Sequence, residues 1–429
     1  MNTRRVVITG LGVVAPNANG IANYAEALRN GHSGIEYYET FKEMGFGSHV
    51  GGFPKLDEEA VKAFKRRFKL KKLVSSGILY ACLAGVEAWE DAGLDVLPQD
   101  ALEPHWDTGC IFGQGITGIE STDIGIKLMD EGKLRKVSGR TVQQSMSSGP
   151  SAYLGGILGL GNQITGNSSA CSTGTEALLM AYDRIRFGLA DRMLAGGCDS
   201  DLKYVTGCFD VMRVLNRQHN DRPKQASRPM SATAAGFVIG SGSGAYVLES
   251  LESARARGAR IYAEVLGGAL NSGGQRGEGS ITSPSDVGIV RCIHQMMEYT
   301  GLEAADVDAI NGHLTSTVIG DPVEIKSWVK ALGRSGKDFP LINATKSMTG
   351  HALSAAGALE CVGTLLQMHH GFFHPTLNCE DLHPVISDLV DRSRIPMETL
   401  NDVKLNTVVK ASFGFGDVNS CVAFRKWNE

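Results

Sequence analysis

The sequence shows no strong excess of charge of either sign, few aromatic residues and no long unbroken apolar run. Its 42 Lys and Arg stand against 46 Asp and Glu, a formal net charge of −4 over 429 residues. That balance argues against a general nucleic-acid-binding role, which needs a basic surplus. Aromatics make up only 7% of the chain. Nine cysteines are an odd number, with no C-x-x-C pair and no metal-like spacing. A disulfide framework and a structural zinc site are therefore not expected, and the pattern fits a reducing compartment. Met1 to Arg5 runs directly into Val6–Gly10 without the apolar core of a signal peptide, so a cytoplasmic location is expected. The uncharged run from Thr141 to Thr175 is broken throughout by Ser, Gly, Gln and Asn. It lacks the roughly 18 continuous apolar residues of a membrane span and reads as buried interior. No membrane association is expected.

What is abundant is glycine, 53 of 429 residues, well above the usual share of about 7%. Tight turns and close backbone approaches follow. Strand and helix patterns alternate along the chain, which implies α/β layers around a buried sheet. Val6–Val14, Thr108–Phe112, Arg192–Gly197, Phe237–Ser250 and Ala259–Gly268 read as strands. So do Val307–Asn311, Leu341–Ala344, Leu405–Ser412 and Ser420–Trp427. Leu56–Leu73 reads as a helix with a basic face, and Phe41–Pro54 as irregular. The length exceeds one ordinary core. Residues 1–258 and 259–429 form two halves that rhyme: each has a strand, a Gly- or Ser-rich loop with a reactive side chain, then a helix of small residues. Cys171 occupies that place in the first half and His351 in the second, a hint of duplication.

The chemistry centres on Asn167-Ser168-Ser169-Ala170-Cys171-Ser172-Thr173-Gly174. This small-residue run delivers one cysteine to the start of a helix, with Ser172 and Thr173 as N-cap candidates. The free N–H groups and dipole of a helix N-terminus lower a thiol's pKa and favour the nucleophilic thiolate. Alone, such a cysteine is more often a small core residue. Three other segments change that balance. His313 follows a short apolar strand in Asn311-Gly312-His313-Leu314-Thr315-Ser316-Thr317. Lys346 and His351 lie five apart at a strand-to-helix junction. Phe413-Gly414-Phe415-Gly416 forms a turn between two strands. Together they describe an acyl-transfer site: a covalent cysteine nucleophile, two histidines able to donate to a developing oxyanion, and turns that expose backbone N–H groups. A Cys-His-Asp arrangement, as in a cysteine protease or amidase, needs only one histidine and leaves Lys346 without a role.

These segments resemble the β-ketoacyl synthases of the condensing-enzyme family, most closely the elongating synthases of bacterial type II fatty-acid synthesis. The resemblance rests on Ser169-Ala-Cys171-Ser-Thr-Gly174, Gly312-His313-Leu-Thr315-Ser-Thr317, Thr345-Lys346-Ser-Met-Thr-Gly-His351 and Phe413-Gly-Phe415-Gly…Asn419, in the right order across nearly the whole chain. It implies a thiolase-like α/β fold of two duplicated halves in α-β-α-β-α layers. It implies a decarboxylative condensation of a Cys171-bound acyl chain with a malonyl group carried on acyl carrier protein. No cofactor is then needed beyond the phosphopantetheine arm of the carrier. By resemblance, the N–H groups of Cys171 and Phe415 form an oxyanion hole, and Phe415 also gates the pocket. His313 and His351 hold the enolate. Lys346 pairs with Glu324 and orients the site. Thr315 and Thr317 hold the arm, and Ile116 lines the pocket.

Leu314 stands where the family usually has Gly, and Asp417-Val418 where it usually has Gly-Thr. These departures keep a specialised polyene or polyketide pathway open. So is a non-catalytic chain-length subunit of a heterodimer, although such subunits lack the cysteine. A degradative thiolase would need a second cysteine as base, and Cys421 is poorly placed for it. A homodimer is implied by resemblance. Lys62, Lys65, Arg66, Arg67, Lys69, Lys71 and Lys72 crowd the basic helix without an intervening acid. Lys133, Arg135, Lys136 and Arg140 form a second basic edge. A charge run is usually a solvated face, but these are also the expected docking residues for an acidic carrier protein.

Overall fold

The computed structural model describes residues 3–428. Ten strands form one sheet. They are β1 (Val6–Val14), β2 (Thr108–Gln114), β3 (Ile164–Thr165), β4 (Arg192–Asp199), β5 (Gly242–Ser250), β6 (Ala263–Ser272), β7 (Ala309–Asn311), β8 (Leu341–Asn343), β9 (Thr407–Gly414) and β10 (Val418–Lys426). The first five lie in the order β1-β5-β4-β2-β3 and the last five in the order β6-β10-β9-β7-β8. In each set the first two pairings are antiparallel and the last two parallel. The halves therefore repeat one topology. They join edge to edge where Val6 of β1 faces Val265 of β6.

Alternation along the strands explains the layers, because successive side chains point to opposite faces. On β5, Tyr246 and Leu248 enter the central core while Ala245 and Val247 enter an outer one. On β10, Val422 and Phe424 go to the same central core while Cys421 and Ala423 enter the other outer one. Helices α1 (Glu58–Arg67), α2 (Ser76–Asp91) and α3 (Gly149–Leu158) belong to the first half. Two helices fill the central layer, α4 (Thr173–Arg186) and α7 (Ala356–His370). Outside the first half, α2 and α3 pack on the sheet. Outside the second, α5 (Asp286–Thr300) and α6 (Gly320–Leu332) do so. The result is α-β-α-β-α.

The central helices meet backbone to backbone. A Cβ on Gly174 would lie 2.4 Å from the Ala358 amide nitrogen, and one on Gly357 would lie 2.9 Å from that of Thr175. Small residues at this crossing let the Cys171 helix and the helix after His351 approach each other.

Several elements differ from the sequence reading. The basic helix α1 is shorter than Leu56–Leu73: it starts on the Asp57 side chain, which accepts from Ala60 N at 2.8 Å, and stops at Arg67. Lys69 then takes a left-handed φ of 55°, which ends the helical path. Phe237–Ser250 is interrupted at Ser241, before Gly242 with its φ of 142°. Phe41–Pro54 holds the strand Val50–Gly52 and part of a helix, Glu39–Glu43. Helices Ile119–Asp130 and Lys203–Val211 were not anticipated. The Thr141–Thr175 run is only partly interior, since Val142 is 73% exposed. None of the described helices is long and apolar enough to cross a membrane.

Candidate active site

Cys171 sits in a tight helical turn, Ala170–Ser172, that leads into α4. Ala170 has a φ of 49°, held because the Thr173 hydroxyl accepts from Ser169 N at 2.8 Å and donates to Ala170 O at 2.7 Å. Neither expected cap side chain caps: the Ser172 hydroxyl donates instead to Ser412 O, at 3.1 Å. That bond fastens the nucleophile turn to β9 and the Phe413–Gly416 loop. Gly414 lies close enough that a Cβ would come within 3.0 Å of the Cys171 amide. The Phe415 backbone N–H acts on the Cys171 thiol in favour of its charged form.

The parallel strands of the second half supply the other groups. His313 follows β7, and Lys346 follows β8. His351 precedes α7 and is clamped through its backbone, its N–H to Val238 O at 2.7 Å and its carbonyl from Gly240 N at 2.9 Å. The ligating atoms of Cys171, His313 and His351 all lie within 4.8 Å of one another. His351 Nε2 is 3.0 Å from the Cys171 sulfur.

Hydrogen bonds assign the imidazole protons. Leu353 N–H donates to His351 Nδ1 at 3.3 Å, and the Lys346 ammonium faces His313 Nδ1 at 3.4 Å. A nitrogen that accepts carries no proton, so in both neutral rings Nε2–H is the donor. Burial, with the lysine charge added to it, drives both histidines well below the usual imidazole range and keeps them neutral. A Cys-His-His set suits zinc in its atom types, but two Nε2–H donors offer hydrogens rather than lone pairs.

The thiol departs from expectation. Burial pushes Cys171 up to about 11, against the opposing pull of Lys346 and the Phe415 N–H. Desolvation outweighs the groups that favour the thiolate, so the expected depressed pKa is not found.

The pairing expected between Lys346 and Glu324 is also corrected. Lys346 Nζ bonds to Glu360 Oε1 and, at 2.7 Å, to His313 O. Glu324 instead accepts from the backbone N–H groups of His313 at 2.8 Å and Leu314 at 2.7 Å, supporting the histidine loop from below. Leu314, fully buried, has a φ of 27° in a region where glycine is more at ease. Glu360 is a lone carboxylate in the otherwise apolar start of α7; that isolation was the signal available in the sequence. Lys410, a single charge within Thr407-Val-Val-Lys-Ala-Ser, was likewise missed. It is fully buried, 2.8 Å from Glu360 Oε2.

These residues open into a cavity of about 690 Å³ whose lining includes Cys171, both histidines, Ile116, Phe209, Phe237, Thr315, Thr317 and Phe415. The Thr315 and Thr317 hydroxyls are 3.1 Å apart. Asp321 shapes their loop by accepting from Thr315 N at 2.9 Å and Ser316 N at 3.1 Å; burial raises its carboxyl to about 7. The Phe415 ring meets Phe209 edge-on at 6.1 Å. Asp417 is fully buried and accepts from Gln275 N at 3.1 Å and Ser285 N at 2.9 Å. It thereby ties the Phe415 loop to the 273–285 segment, which also lines the cavity through Thr282 to Pro284.

The basic residues separate into two groups. Lys62 pairs with Glu59, Arg67 with Glu90 and Lys133 with Glu131, while Lys65 donates to Leu73 O at 2.9 Å. Arg66, Lys69, Lys71, Lys72 and Arg135 are exposed. Buried Gln144 draws the two basic edges together, donating to Lys72 O at 3.1 Å and accepting from Val74 N at 2.8 Å.

Residues 3–254 match the beta-ketoacyl synthase N-terminal domain and residues 262–380 the corresponding C-terminal domain. The chain is 36% identical to 3-oxoacyl-[acyl-carrier-protein] synthase 1 of Escherichia coli over 425 residues, 99% of each chain. It is 34% identical to 3-oxoacyl-[acyl-carrier-protein] synthase 2 of Vibrio cholerae over 431 residues, covering 99% of this chain and all of that one. Among solved structures it is similar to a type II polyketide ketosynthase, bound to a hexaketide and in complex with its acyl-carrier protein. The TM-score is 0.86 at 29% identity, over 99% of this chain and 100% of the other. A beta-ketoacyl synthase from Burkholderia phymatum gives a TM-score of 0.85 at 27% identity, with the same coverage.

Proposed function

Because the chain belongs to the β-ketoacyl synthase family, we propose that it condenses an acyl chain held on Cys171 with malonyl-acyl carrier protein. The products are 3-oxoacyl-acyl carrier protein and CO2, in fatty-acid biosynthesis. The observation that carries this reading is the gathering of two neutral histidines with the buried Cys171 thiol, their ligand atoms within 4.8 Å of one another, on the wall of a cavity of about 690 Å³.

The steps follow from the geometry. The Cys171 sulfur attacks the acyl thioester and the carrier thiol leaves with the proton, so acyl-S-Cys171 forms. His351 Nε2–H, 3.0 Å from the sulfur, stabilises negative charge on it, and the Phe415 N–H favours the same charged form. The malonyl thioester then takes the place of the departed carrier, its carbonyl oxygen between His313 and His351. The bond to the carboxylate carbon breaks, CO2 departs, and the electron pair becomes an enolate whose oxygen both Nε2–H groups hold. The enolate carbon attacks the Cys171 thioester. The N–H groups of Cys171 and Phe415 accept the oxyanion, and collapse releases the cysteine sulfur, which regains a proton from solvent.

Lys346 keeps His313 in its donor form, and Glu324 holds the loop that carries it. Thr315 and Thr317 bind the phosphopantetheine arm. Phe415 gates the acyl channel, with Ile116 on its wall. No cofactor or metal takes part. Arg66, Lys69, Lys72, Lys133 and Arg135 dock the carrier, which by this reading is acidic. The protein works as a cytoplasmic homodimer of chains whose halves divide at 258/259.

Cys171→Gln tests the reading. It removes acyl-enzyme formation, read by intact mass after incubation with acyl-carrier protein, and leaves malonyl decarboxylation in place. An acyl adduct on that variant, or loss of decarboxylation with the fold intact, rejects the division of roles.

A further inference from the structure

One buried charge that the mechanism leaves unused is Lys410. Its side chain leaves β9 on the central face, like Val408 two residues before it, and is fully buried. Its Nζ lies 2.8 Å from Glu360 Oε2 and 3.0 Å from Ser412 Oγ, and it also bonds the Ala411 carbonyl. Ser412 Oγ in turn lies 3.0 Å from Thr175 Oγ1, on the nucleophile helix. One buried carboxylate is thus bracketed by two ammonium groups, Lys346 on Oε1 and Lys410 on Oε2.

The donors can be counted. An ammonium has three N–H groups. Those of Lys346 face Glu360 Oε1, His313 O at 2.7 Å and His313 Nδ1 at 3.4 Å. Those of Lys410 face Ser412 Oγ and Ala411 O, while Glu360 Oε2, 2.8 Å from the Lys410 nitrogen, is held by charge and accepts no hydrogen bond. The longest contact of the set is the one to His313 Nδ1, and it is the one that assigns the tautomer of that ring. A buried carboxylate deprived of its counter-charge is costly, and Lys346 is the other cation on Glu360. If Oε2 lost Lys410, Lys346 would turn to bridge both oxygens, and its weakest bond would break first.

We propose that Lys410 is a positioning residue for the condensation: by occupying Glu360 Oε2 it leaves Lys346 an N–H for His313 Nδ1, and so holds His313 as an Nε2–H donor toward the enolate. This rests on the decarboxylation role assigned to His313 above. A purely structural Lys410 would weaken the fold and every step alike, whereas a positioning role acts only through His313.

The test is a double-mutant cycle of Lys410→Met with His313→Ala, with CO2 release from malonyl-acyl carrier protein and acyl transfer to Cys171 measured on each variant. Lys410→Met alone lowers decarboxylation about tenfold, the scale of one charge-assisted hydrogen bond, and changes acyl transfer less than threefold. In the His313→Ala background it changes decarboxylation less than threefold, because its effect has already been removed. Lys410→Gln offers Glu360 a neutral polar neighbour without the charge; it gives the same cycle, and it takes the place of the Met variant if that does not fold. An equal fall in both half-reactions, or a full tenfold loss that persists without His313, overturns the proposal. His313→Ala that leaves decarboxylation unchanged instead rejects the role of His313 itself.

Discussion

Cys171 should be a slow nucleophile at neutral pH and a steadily faster one as pH rises. Burial pushes its thiol up to about 11. At pH 7.5 that leaves a thiolate fraction of about 3 × 10⁻⁴, where an ordinary cysteine near 8.5 would hold about a tenth. Alkylation by iodoacetamide should therefore climb close to tenfold per pH unit from 7 to 10, about a thousandfold in all. An ordinary thiol would level off near pH 9. His351 Nε2–H, 3.0 Å from the sulfur, is one of the groups that stabilise the charged form. A hydrogen bond to a charged group is worth about 1.5–3 kcal/mol, so His351→Ala should slow alkylation at fixed pH by a further tenfold or more. The assay is peptide-resolved mass spectrometry, because Cys208 is exposed and also reacts. A plateau in the Cys171 rate at or below pH 8.5, or an unchanged rate in His351→Ala, would refute the reasoning that desolvation dominates and that the imidazole donates.

Three further outcomes follow from particular contacts. Lys69→Glu with Lys72→Glu, both at exposed positions, should raise KM for carrier-protein substrates in a salt-dependent way and leave KM for a pantetheine thioester unchanged; equal effects on both substrates would return this basic segment to a solvated face. Leu314→Gly relieves a φ of 27° but empties a buried leucine site, so urea unfolding should show a net loss of about 2 kcal/mol, the cavity outweighing the strain; a stabilised variant would contradict this. Asp417→Gly suits the residue's φ of 59° while removing the acceptor for Gln275 N and Ser285 N. Hydrogen exchange at those two amides should accelerate at least tenfold with little change elsewhere, and unchanged exchange would show that the tie to the Phe415 loop bears no load.

Much of this molecule could be read before its coordinates. The alternation of strand and helix, the small-residue frame around Cys171 and the two histidines after short apolar strands are local patterns, set by side-chain periodicity and by what a turn tolerates. The duplication was visible only as a rhyme, and it became definite once both halves were seen to share one strand order. Three decisions lay beyond the sequence because they depend on how the chain packs around each group rather than on a local pattern. The partner of Lys346 is Glu360 rather than Glu324, whose oxygens are taken by the His313 and Leu314 N–H groups. The sign of the Cys171 shift depends on how deeply three layers bury it, and a motif carries no measure of desolvation. The tautomers of His313 and His351 are set by a lysine 33 residues away and by an amide two residues on. Periodicity and spacing determine which reactive side chains reach the site, whereas burial and long-range hydrogen bonds, which exist only once the layers are packed, decide the protonation state each one holds there.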